Sequence, residues 1–266
     1  MRWRHRDYSR RHCLALAYFA YEQLPAQLAN IPLEYFETAL AWLQAHPRVD
    51  RNRLGVIGTS RGGELALLLG ATIPRIGVVV AYVPSNVLWE GFGPGVPAGA
   101  SAWSYRGRAL PAIQEHLTSE QVQAVVQHKP IAWTPLYHIT LDDASAVAAA
   151  AIPVEQSHAA ILLISGQDDR MWPSARMAAM VAERLQQHHY LYPVQHLSYP
   201  NAGHWIGTPF FPASTTYGHH AINGELYAYG GTVAGNALAM TDSWEQILRL
   251  LKHVWQWQWY DSNSNN

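Results

Sequence analysis

LGVIGTSRGGELAL (54–67) is the stretch on which the fold turns. It begins as a short apolar strand (53–58, RLGVIG) and ends as a helix from Glu64 to Leu69. Between them lies Gly58-Thr59-Ser60-Arg61-Gly62, a G-x-S-x-G pentapeptide. A sharp strand-to-helix turn holds such a serine in a strained backbone conformation. It lifts the hydroxyl above the sheet, at the positive end of the following helix. Small residues at both flanks let strand and helix approach without a clash. The pattern occurs by chance in many chains, so the flanking strand and helix carry the reading. Ser60 is the expected nucleophile.

Moving outward, strand and helix signals alternate. Residues 76–82 (IGVVVAY), 160–165 (AILLIS) and 194–199 read as strands, the first as a buried one. Helices are predicted over 33–45, with Leu33, Phe36, Leu40 and Leu43 on one face, and over 174–187, with Met177, Met180, Val181 and Leu185. A last helix is expected to start near Asp242, capped there with Glu245 three residues on. Its apolar stripe is Trp244, Ile247, Leu248, Leu251 and Trp255. The apolar run 13–20 (CLALAYFA) reads as another buried parallel strand. This alternation predicts the α/β class: one domain over 1–266 with a mainly parallel sheet covered on both faces. The stretch 83–154 breaks the rhythm, with several glycines and prolines and only two weak helical pieces near 119–128 and 141–151. It reads as an excursion above the sheet, a lid or substrate wall. Its Trp89, Trp103, Tyr105, Trp133 and Tyr137 would either pack it down or line an apolar trough for an acyl chain.

A serine hydroxyl needs a base to remove its proton, and the base needs an orienting acid. In this fold type they follow in the order Ser, Asp, His. Gly166-Gln167-Asp168-Asp169 leaves the strand 160–165 at its C-terminal end, where functional groups gather in open α/β sheets. Asp169 is taken as the acid and Asp168 as support for the turn. Of the 14 histidines, His204 stands out, on Asn201-Ala202-Gly203-His204 just after the next strand. No H-E-x-x-H or Cys/His ligand spacing occurs, so neither metal nor cofactor is expected.

The composition sets the frame. At 49% hydrophobic and 14% charged, the 266-residue chain is globular. A formal net charge of -1 argues against nucleic-acid or anionic-membrane partners. The one cysteine, Cys13, forms no internal disulfide, which fits a reducing, cytoplasmic setting. No apolar run reaches the length of a membrane span. Ser9-Arg10-Arg11 before 13–17 resembles a twin-arginine export signal, but Glu22 and Pro25 follow without a small-residue cleavage site. A basic segment leading into a strand is the preferred reading.

These residues resemble the C-terminal α/β-hydrolase domain of the acyl-CoA thioesterase / bile-acid-CoA:amino-acid N-acyltransferase family. The resemblance runs in order through ALAYFAYEQLP (15–25), LEYFETALAWLQAHP (33–47), LGVIGTSRGGELAL (54–67), SYRGRALP (104–111), IPVE (152–155), LLISGQDDRMWPS (162–174), YPNAGHWIGTPFFP (199–212) and YGGTVAGNALAMTDSWEQIL (229–248). It implies the same triad: Ser60, Asp169 and His204. Such domains have a further strand and a glycine-rich loop ahead of the segment matched by 13–20. On that comparison the chain reads as N-terminally shortened. The run 13–20 is expected to pair directly with 53–58 or to fray, a second chain being the third possibility.

The expected chemistry is acyl transfer from an acyl-CoA through an acyl-serine, the oxyanion receiving the Arg61 backbone N–H. Amine transfer in the related N-acyltransferases uses a cysteine nucleophile, so serine at 60 favours water as acceptor. The alternatives are an N-acyltransferase, a carboxylic ester hydrolase and an inactive shortened homologue. Acyl chain and oligomeric state have no signature in the sequence.

Overall fold

The computed structural model describes residues 12–207, 211–220 and 223–261, with side chains through 255. The basic segment 1–11, with its twin-arginine pattern, and the tail 262–266 lie outside the described residues.

The four predicted strands after residue 50 form one sheet in chain order, each parallel to the next. They are β1 (Leu54–Thr59), β2 (Ile76–Tyr82), β3 (Ala160–Gly166) and β4 (Val194–Tyr199). β2 and β3 are continuous hydrophobic stretches because both faces are buried. Val79, Ala81, Ile161 and Leu163 point into a core built with helices α1 (Leu33–Ala45), α2 (Arg61–Thr72) and α6 (Ser174–Gln187). Their neighbours Val78, Val80, Leu162 and Ile164 point the other way, against Ala239, Met240 and Ile247 of helix α7 (Val233–Asp261). α7 reaches β2, β3 and β4 but not β1, leaving Ile57 47% exposed. No described helix is long and apolar enough to cross a membrane.

Two expectations fail. Residues 13–20 form no strand, and the outer edge of β1 has no ladder partner among the described residues. Leu16, Tyr18 and Phe19 pack sideways on the core near Phe36 and Trp103, while Leu14 is 40% exposed. An apolar run becomes a strand only where an edge accepts its backbone; here side-chain packing holds it, with the Tyr35 hydroxyl donating to Ala17 O at 2.8 Å. The last helix begins nine residues before Asp242. Its first turn is capped by Thr232, whose Oγ1 accepts from Gly235 N at 3.0 Å. Asp242 sits inside the helix and accepts from the Tyr199 hydroxyl at 2.6 Å. Gly235 and Asn236, weak helix formers, conceal this early start.

The excursion 83–154 carries three short helices: α3 (Ser119–Val126), α4 (Thr134–Leu141) and α5 (Ala144–Ala150). The pieces expected near 119–128 and 141–151 are α3 and α5, the latter capped by the Asp143 carboxylate; α4 is unexpected. Short strand pairs, Trp103–Tyr105 with Ile31–Pro32 and with Arg108–Ala109, tie the excursion to the chain before α1.

Candidate active site

The parallel register brings the C-terminal ends of β1, β3 and β4 to one edge of the sheet, and a loop leaves each. β1 ends in the serine turn. Ser60 has φ 59° and ψ -122°, a strained conformation for a non-glycine residue. It is clamped on both sides: its N–H donates to Tyr82 O at 3.0 Å and its carbonyl accepts from Glu64 N at 3.0 Å. Gly58 is obligatory, because a Cβ there would collide with the Gly62 carbonyl. The second tight position is Gly63, where a Cβ would lie 2.6 Å from Tyr82 O. Gly62, the last glycine of the motif, has only the Tyr18 hydroxyl at 4.0 Å. Arg61 opens α2, so its N–H lacks a partner within the helix.

His204 Nε2 lies 2.9 Å from Ser60 Oγ. Its Nδ1 lies 2.9 Å from Asp169 Oδ2 and 3.1 Å from Oδ1. Asp169 is an acceptor, so Nδ1 carries the ring proton and Nε2 faces the serine hydroxyl as acceptor. Asp169 Oδ1 also accepts from the backbone N–H groups of Met171 at 2.9 Å and Trp172 at 3.2 Å. Both side chains are buried, while Ser60 is half-buried. Asp168 turns elsewhere: Arg170 Nε donates to it at 2.7 Å and Gly231 N at 3.0 Å.

The segment 228–236 braces this loop, a role with no signal in sequence spacing. His204 N donates to Tyr229 O at 2.8 Å, and Gly203 N to the buried Asn236 Oδ1 at 2.8 Å. Gly203 is packed so closely on Gly230 that a Cβ would strike its carbonyl. The Trp172 ring stands edge-on to His204 at 5.7 Å, its indole N–H donating to Val83 O at 3.0 Å.

A second polar group stands on the α2 side. Arg61 Nη1 meets Glu64 Oε2 at 2.9 Å, and Nη2 donates to Trp89 O and Glu90 O, both at 2.9 Å. Glu64, wholly buried, also accepts from Trp103 Nε1 at 2.6 Å. Burial pushes its carboxyl up to about 7, with Arg61 opposing the shift. The charged residue inside the motif therefore anchors the excursion to the helix that follows Ser60.

A cavity of about 510 Å³ opens beside Ser60. Trp133 and Tyr137 line it; Trp89, Trp103 and Tyr105 do not. Trp89 and Trp103 are fully buried, and their indole N–H groups are taken by Ser85 and Glu64. Of the five expected aromatics, two face the cavity and two only pack the excursion down.

Among solved structures, the chain is similar to a putative dienelactone hydrolase from Klebsiella pneumoniae subsp. pneumoniae MGH 78578, at 15% identity and TM-score 0.45, covering 83% of this chain and 60% of that one. Acyl-coenzyme A thioesterase 1 of Mus musculus is 32% identical over 239 residues, 88% of this chain and 51% of the relative. Acyl-coenzyme A thioesterase 2, mitochondrial, of Homo sapiens is 32% identical over 241 residues, 88% of this chain and 45% of the relative. The peroxisomal succinyl-coenzyme A thioesterase of Mus musculus is 29% identical over 239 residues, 88% and 52%. The chain spans about half the length of the curated relatives it matches. Residues 31–256 match the family described as BAAT / Acyl-CoA thioester hydrolase C terminal, and the chain belongs to that family.

Proposed function

We propose that this chain hydrolyses acyl-CoA thioesters through an acyl-Ser60 intermediate. The observation that carries the reading is the hydrogen-bonded series Ser60–His204–Asp169, opening on the cavity of about 510 Å³. His204 Nε2 takes the hydroxyl proton as Ser60 Oγ bonds to the thioester carbonyl carbon. Asp169 holds the ring tautomer and stabilises the imidazolium. The Arg61 N–H, at the positive end of α2, is aimed at the developing oxyanion. On collapse the C–S bond breaks, and His204 delivers its proton to the departing CoA sulfur. Water then attacks the ester, giving its proton to His204, and the carboxylic acid leaves as Ser60 recovers the proton. The excursion 83–154 walls the pocket within a single domain.

The test is a fluorophosphonate probe together with an acyl-CoA hydrolysis assay on the purified chain. Labelling at Ser60, abolished in Ser60→Ala along with thioester turnover, is the expected result. Full turnover in Ser60→Ala would sink the proposal.

A further inference from the structure

The cavity beside Ser60 carries a carboxylate, Glu115, among its aromatic walls. Resting on the thioesterase reading, we propose that the acyl group it takes carries an ammonium substituent, which pairs with Glu115 in the cavity wall. Glu115 is fixed from both ends: its N–H donates to Glu90 Oε1 at 2.7 Å, and its Oε1 accepts from the Tyr137 hydroxyl at 2.7 Å. The other carboxylate oxygen has no hydrogen-bond partner among the described residues, and Glu115 lines the cavity. The Glu115 side chain is half-buried, and burial pushes its carboxyl up.

The cavity is short of positive charge. Among the described residues Arg61 is its one lining Lys or Arg, against the two carboxyls of Glu90 and Glu115. Both terminal nitrogens of Arg61 are committed to Glu64 and to two backbone carbonyls. His220 has its basicity lowered by burial, so it does not make up the deficit near neutral pH. The walls around Glu115 are aromatic: Trp133, Tyr137, Tyr227 and Phe92. Aromatic faces beside a carboxylate attract a cation, and the pull grows when water is excluded. An alkyl chain would offer the free Glu115 oxygen no partner. A terminal carboxylate would meet like charge from both glutamates.

The experiment compares four CoA thioesters of one chain length: hexanoyl, ω-hydroxyhexanoyl, ω-ammoniohexanoyl and an ω-carboxy analogue, with enzyme-free blanks to subtract self-cyclisation. The ammonio substrate is expected to exceed hexanoyl in kcat/KM by on the order of tenfold, with the carboxy analogue lowest. Glu115→Gln should bring the ammonio-to-hexanoyl ratio to near one, and a ratio that survives the substitution overturns the role of Glu115. Protection of Ser60 from fluorophosphonate by hexylammonium, hexanol and hexanoate reads the same ranking without turnover. Hexanoyl-CoA turned over as well as, or better than, the ammonio substrate would overturn this inference and leave the thioesterase reading standing. No turnover and no labelling would overturn both. If Glu115→Gln does not fold, the wild-type series and the protection ranking decide.

Discussion

On one side of Ser60 stand His204 and Asp169; on the other stand Arg61, Glu64 and Glu115. The first side is built from loops leaving neighbouring strands, and its polar atoms are paired: both Asp169 oxygens face Nδ1, and two backbone N–H groups add to them. The second side is assembled across the excursion and is less completely paired. Arg61 Nε is buried without a partner among the described residues, and one Glu115 oxygen faces the cavity unpaired. On the function proposed above, the difference separates two tasks. A proton relay needs one fixed geometry, so every group in it is held. A pocket wall keeps binding capacity in reserve for the ligand, at the cost of burying carboxyls that are pushed up from their ordinary range.

The largest effect that would break this comparison lies on the relay side. Ser60→Ala should lower kcat on thioesters by a factor on the order of a thousand to a million, measured by thiol release. Next comes the pair of adjacent acids. Asp169→Asn should cost about ten-thousandfold in kcat through the wrong imidazole tautomer. Asp168→Asn should cost no more than about tenfold, since it loses only ties to Arg170 and Gly231. Equal losses at both positions would dissolve the distinction between relay and brace.

On the second side, Glu64→Ala would leave the half-buried Arg61 without its carboxylate. A loss of about 3–5 kcal/mol in chemical denaturation is expected, the magnitude for breaking a buried pair from one end. Glu64 also gives a pH signature. Its carboxyl is raised from 4.5 to about 7 in the folded chain, so the folded state holds the proton more tightly than the unfolded one. The stability this contributes is present below about pH 4.5 and is lost as pH rises through about 7. Glu64→Gln should therefore compare better with the parent in thermal unfolding above that window than below it. An identical offset at both ends would remove Glu64 as the titrating group.

A last contrast, ending on the mildest change, is within the turn. Gly58→Ala should prevent the elbow from forming, because its Cβ meets the Gly62 carbonyl. Gly62→Ala should cost less than about 1 kcal/mol, having open space around it. Circular dichroism melts of the two variants make the check.

The elbow, the acid loop and the histidine loop are legible because each is a local pattern beside a strand. GTSRG, GQDD and NAGH give turn chemistry directly, and strands buried on both faces announce themselves as unbroken apolar runs. Local patterns misled where a partner decides the outcome. Residues 13–20 have a strand's composition but no backbone ladder. Asp242 and Glu245 have the spacing of a cap, yet Asp242 serves Tyr199 from inside a helix that Thr232 caps. The aromatics of the excursion are apolar in sequence whichever way they face, and the fold sends Trp133 and Tyr137 to the cavity and Trp89 and Trp103 to the core.

By itself, then, the sequence determined the alternation of strand and helix, the order of Ser60, Asp169 and His204, and the turns on which they sit. Those are near-neighbour matters, set by hydrophobic period and by the few residues a tight turn tolerates. Only the tertiary structure decided that Gly63 rather than Gly62 packs against β2, that Asn236 holds the histidine loop, and that Arg61 spans from the nucleophile's helix to the excursion. It also decided that Glu115 faces the cavity beside Ser60. Each of these joins groups separated along the chain, and hydrogen bonding and burial at such separations leave no periodic mark in the residues that make them.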